Sequence, residues 1–66
     1  MVMATLAEQI ACVRREIAMR ERVYPKWVEG GRMKQADANR ELETMKAVLE
    51  TVQKVENAAR MLGQRQ

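Results

Sequence analysis

Gly30 and Gly31 stand side by side near the middle of a 66-residue chain otherwise dominated by helix formers. A glycine pair stops a helix readily, because a residue without a Cβ takes up the left-handed conformation that closes the last turn at little steric cost. The third glycine is Gly63, and the single proline, Pro25, belongs to the same corner. The stretch YPKWVEGGRMK, Tyr24 to Lys34, also carries the only Trp and the only Tyr. Two arms meet at this corner.

Thr5-Leu6-Ala7-Glu8 has the spacing of a capping box, so the first helix is expected to start at Leu6. Leu6, Ile10, Val13, Ile17, Tyr24 and Val28 then recur at helical spacing and lay one apolar stripe. Cys12, placed among Ile10, Ala11 and Val13, is taken as a small core or near-core residue. The stripe weakens at Arg20 and Glu21, just ahead of Pro25, which removes the bond to the Glu21 carbonyl. Either the helix breaks at Tyr24, or it bends at Pro25 and runs on to Glu29. Tyr24 and Val28 continue the face of Ile17, which favours the bend. Met33 is placed to fold back onto the last turn.

The second helix is expected from near Gln35, with Asp37 in its first turn where a negative charge suits the helix dipole. Its apolar face runs Leu42, Met45, Val48, Leu49, Val52, Val55, Ala59 and Leu62. The expected layout is one domain over 1–66: a helix of about 6–29, a corner at 30–34 and a helix of about 35–62. At the usual rise these arms are roughly 36 Å and 42 Å long. A connection this short folds them antiparallel, giving an all-α helical hairpin.

A chain of this size rarely stabilises itself without disulfides, metal or a partner. Cys12 is the only cysteine and there is no His, so internal disulfides and the usual zinc sets are excluded. Association remains. The stripe on helix two is wider than one neighbour covers, and Leu42, Met45, Leu49, Val52 and Val55 are the candidate dimer interface. Burying ~1,500 Å² with some 60% apolar would contribute ~20 kcal/mol before association costs. A homodimeric four-helix bundle is the leading assembly; a monomer docking its strip on a host protein is the rival.

The residues for most catalysis are missing. With neither Ser nor His, no Ser–His or Cys–His pair can be built in one chain, and no E-x-x-H motif serves a di-iron bundle. No cofactor and no enzymatic activity are expected. No segment approaches the roughly 18 to 20 apolar residues of a membrane span, and the start lacks a signal peptide's pattern. A lone thiol fits a reducing cytoplasm.

The net charge is +3, and its excess lies between Arg14 and Lys34, where seven basic residues face Glu16, Glu21 and Glu29. Such a segment attracts an acidic protein patch or a phosphate backbone, although Arg and Lys also make an ordinary solvated helix face. Arg20, Tyr24, Lys26, Trp27, Arg32 and Met33 are the candidate partner-binding residues, since Trp, Tyr and Arg are the types that anchor interfaces. A second reading makes Arg14, Arg15, Arg20, Arg22, Lys26 and Arg32 a nucleic-acid contact. A third treats the chain as a coiled-coil part of a larger assembly.

The run Arg15 to Val48, REIAMRERVYPKWVEGGRMKQADANRELETMKAV, resembles small uncharacterised proteins encoded by tailed phages and prophages. The likeness is an R-x-x-V-Y-P-x-W-V corner followed by G-R-M and an alanine-rich helix. Arg20, Val23, Tyr24, Pro25, Trp27, Val28, Gly31, Arg32, Met33, Ala38, Glu41 and Met45 carry it, over about half the chain. The resemblance implies a phage context, in which short helical proteins commonly look like factors that bind and alter a host or phage protein.

Overall fold

The computed structural model describes residues 3–63. Within them the chain forms α1, Leu6–Glu29, and α2, Gln35–Gly63, which pack against each other as the two arms of a hairpin. The molecule measures 55 × 25 × 17 Å, a rod two helices wide.

The start of α1 follows from the capping box. The Glu8 amide donates to the Thr5 hydroxyl at 3.0 Å, and the Thr5 amide donates to Glu8 Oε1 at 3.1 Å. Two of the orphan donors that every helix start exposes are thereby satisfied. The bond from the Thr5 amide above all, with the Thr5 hydroxyl beside the carboxylate, holds the Glu8 carboxyl below its ordinary pKa.

Pro25 does not break α1, which runs through it to Glu29. Pro25 leaves the carbonyl of Glu21 without its helical donor, and both residues are exposed. Tyr24 therefore keeps the phase of Ile10 and Ile17, and all three are buried.

Gly31 ends the helix. Its φ of 76° is in the left-handed region, while Gly30 is at −80°. The Gly31 amide donates to the Val28 carbonyl at 3.1 Å and the Arg32 amide to the Trp27 carbonyl at 2.8 Å. This pair of bonds is the Schellman arrangement, and it turns the chain back on itself within a few residues. α2 starts without a side-chain cap: the Lys34 carbonyl accepts the Ala38 amide at 3.0 Å.

The seam between the helices is narrow. Ile10, Ile17 and Tyr24 from α1 and Ala38 from α2 are the buried residues among those described. Leu42, Met45, Leu49 and Val52 are half-buried along it, joined by Gln53 and Glu56, whose aliphatic stems extend the contact. Ala38 is only 2% exposed, and its lack of bulk lets α2 come close to α1 near the corner. Cys12 departs from the expectation: it is exposed, not a core residue. Neighbours in sequence do not share a helix face, and two residues after Ile10 the chain has turned well past the seam.

Two predictions follow from these ends. Gly31→Ala puts a Cβ into a left-handed residue and should cost about 1–2 kcal/mol in chemical denaturation, with Gly31→Asn milder. A Cβ at Gly31 meets no neighbour, so backbone strain alone sets the loss. The Glu8 contribution is complete above the ordinary carboxylate range and fades as pH falls through the lowered folded value. Thr5 amide protection from exchange should weaken across that acid window in the wild type but persist in Glu8→Gln, which still accepts the bond without titrating.

Candidate functional site at the corner

The corner brings the end of α1 together with the first two turns of α2. Between them lies an open cleft of about 740 Å³ lined by Tyr24, Gly31, Arg32, Met33, Lys34, Asp37, Arg40 and Glu41. Its least accessible lining is Tyr24, 7% exposed, and half-buried Met33, while exposed Arg32, Lys34 and Arg40 outnumber exposed Asp37 and Glu41 and leave the rim weakly basic.

Trp27 lies one short helical step from Tyr24. The ring centroids are 5.6 Å apart with planes tilted by 37°, within the range where aromatic pairs attract. Tyr24 is locked in the seam and Trp27 remains 40% exposed, so the indole is a large apolar surface held by a fixed neighbour. Side chains that are already ordered lose less entropy on binding.

Arg20 does not line the cleft and is committed to structure. Its Nε donates to Glu16 Oε1 at 2.8 Å and its Nη1 to Glu41 Oε2 at 3.5 Å, linking α1 to α2. Glu16 above all keeps the guanidinium charged, raising its pKa above the usual value. On the other edge of the seam Lys46 Nζ lies 3.7 Å from Glu21 Oε2. Both cross-helix pairs are partly solvated, so their energy is small, at most about 1 kcal/mol each. What they fix is register: opposite charges meet only when the two arms are aligned this way.

The anticipated binding residues thus separate. Tyr24, Arg32 and Met33 meet in the cleft, and Trp27 flanks it through Tyr24. Arg20 touches the cleft through Glu41 and is already paired. Lys26 is exposed and does not line the cleft; its carbonyl accepts the Gly30 amide at 2.9 Å. Lys34, Asp37, Arg40 and Glu41 are cleft residues that periodicity alone did not single out. Folding α2 back along α1 brings its first turns to the last turns of α1, and that was the available signal.

The broader basic set is dispersed. Arg15, Arg22 and Lys26 recur at seven and eleven residues on the outward side of α1, all exposed. Arg14 instead borders a groove with Ile10, Glu56 and Arg60 at the open end. Arg14, Arg15, Arg22, Lys26, Arg32, Lys34 and Arg40 enter no ion pair among the described residues. Among those residues no group of three His, Cys, Asp or Glu side chains converges as a metal site, and no helix is long and apolar enough to cross a membrane.

No protein-family model matches this chain, and no curated protein or solved structure matches it either.

Burial distinguishes Tyr24 from its neighbours, and substitution should too. Tyr24→Ala removes a seam anchor and is expected to cost about 3 kcal/mol of stability, with a red-shifted Trp27 emission as the brace is lost. Tyr24→Phe keeps the ring and should melt within a few degrees of wild type, since the hydroxyl makes no hydrogen bond among the described residues.

Proposed function

We propose that this chain is a phage-type accessory protein that acts by stoichiometric binding, with no catalysis of its own. Its corner grips an acidic patch on a host protein of defence or regulation, in the host cytoplasm, and inhibits it. The observation that carries the reading is Trp27, 40% exposed and braced on buried Tyr24, next to an Arg32 that has no ion pair among the described residues. An aromatic anchor beside an uncommitted guanidinium is the composition of an interface hot spot. The basic rim of Arg32, Lys34 and Arg40 supplies the charge that would steer an acidic partner. The sequence supports the non-catalytic half of the reading, since it holds neither Ser nor His. The working unit in this reading is a homodimer, two hairpins packed as a four-helix bundle.

The experiment is capture from host lysate by immobilised protein. Trp27→Ala and Arg32→Ala should each weaken retention of the captured protein by about 30-fold or more, the scale of a hot-spot truncation. Both positions are exposed, so the helical circular dichroism should stay as it is. Unchanged capture by both variants removes the corner as the binding site.

The exposed row Arg15, Arg22 and Lys26 supports a second reading, contact with a nucleic-acid backbone. It predicts retention on a DNA or RNA column at low salt, lost steeply as salt rises and reduced in an Arg15→Ala, Arg22→Ala double variant. Absence of retention at low salt disposes of it.

A further inference from the structure

The hairpin has two broad sides, one at each edge of the seam, and the cross-helix ion pairs mark them. Arg20–Glu41 lies on one and Glu21–Lys46 on the other. Steps of seven and eleven residues carry each marker along its helix. From Glu21 and Lys46 they lead to Arg14, half-buried Val28 and the seam residue Ile10 on α1 and to Asn39, Gln53 and Asn57 on α2, so this side is polar along α2. From Arg20 and Glu41 they lead to Gln9, Val13 and Trp27 on α1 and to Val48, Val52 and Val55 on α2, with Leu62 a further turn of the pattern along.

This second side is apolar and open. Val48 is 40%, Val55 50% and Leu62 66% exposed. Between Glu16 and Glu41 and the open end of the hairpin it presents no charged side chain: Gln9, Cys12 and Val13 on α1 face it, and Val48, Thr51 and Val55 on α2. The chain also exposes more area than its mass warrants. Its accessible surface is 5515 Å². A compact monomer of this mass exposes roughly 4,300 Å², so the excess is on the order of 1,000 Å². A stable dimer needs about 800 Å² from each partner.

We infer that this uncharged side is the docking surface for a second copy of the chain, with Val48, Val52 and Val55 at its centre. The inference rests on the dimeric reading above and gives that dimer its face. A two-fold contact sets each surface against itself, so a side carrying net charge repels its own copy, whereas the stretch of this one from Glu16 and Glu41 to the open end carries none. The excess area is large enough for one such partner to cover part of it. An acidic protein or a nucleic acid gains nothing from an uncharged strip and is drawn to the corner or to the outward row of α1. Leu42 and Leu49, anticipated as interface residues, are half-buried in the seam of their own hairpin, so the dimer draws on the flank beside them. Val52 and Met45, half-buried at the border, serve both contacts.

The test is sedimentation equilibrium of the full chain over a micromolar range, with far-ultraviolet circular dichroism and Trp27 emission as checks on the fold. Val55→Asp places a buried charge near its symmetry mate and should raise the dimer dissociation constant by about 100-fold or more. Val55→Ala keeps a strong helix former, so the hairpin persists, yet it should weaken the dimer by about 10-fold. Asn57→Asp adds the same charge on the polar side and should leave the mass unchanged. If the wild type is a dimer that both Val55 variants leave intact, this face is wrong and the dimeric reading survives. If the wild type keeps the mass of one chain at 100 micromolar or so, both fail. Should Val55→Asp lose its helicity, Val55→Ala alone decides.

Discussion

Reversal of the backbone at Gly31 is the constraint on which everything else hangs. One residue at positive φ lets the Arg32 amide reach back to the Trp27 carbonyl, and the chain leaves α1 pointing along it. Without that turn Tyr24 has no Ala38 to lie near, Arg20 no Glu41, and the basic rim of the cleft does not assemble. The corner is thus both the hinge of the fold and the place where its chemically distinctive residues collect. The two roles share residues because a short loop forces the end of one helix and the start of the next into the same few turns.

Apolar burial along the seam then holds the arms together, and there is little of it. The buried residues come mostly from α1, as Ile10, Ile17 and Tyr24, while α2 contributes one buried alanine and a row of half-buried side chains. Two packed helices expose most of their circumference whatever their sequence, since each has one neighbour only. The ion pairs Arg20–Glu41 and Glu21–Lys46 add alignment more than energy. A fold of this kind is marginal alone and gains stability with each further surface that covers it.

That marginality links structure to the proposed activity. The corner, with an aromatic anchor and uncommitted cations, suits a charged partner, whereas the valine flank suits an uncharged one. Their separation along the rod would let the proposed bundle form at the open half while the corner stays accessible. Exposed Cys12, outside the seam, marks where the helix has turned away from its neighbour toward that flank.

Local chemistry in the sequence determined both helices, the limits of α1 and the corner. Thr5 and Glu8 three residues apart specify the first cap, and paired glycines specify the stop; each acts over less than two turns and needs no tertiary partner. The stripe through Ile10, Ile17 and Tyr24 also told that Pro25 lies within a helix, because a break would have lost the phase. Tertiary structure decided which of the apolar residues on α2 face α1. Leu49 turns inward and adjacent Val48 outward, although the stripe offered both, since one neighbour covers only part of a wide face. It likewise turned Arg20 from a free cation into a cross-helix pin, and it recruited Lys34, Asp37, Arg40 and Glu41 to the cleft. Those outcomes depend on register between residues far apart in the chain, which the pattern within either helix does not encode.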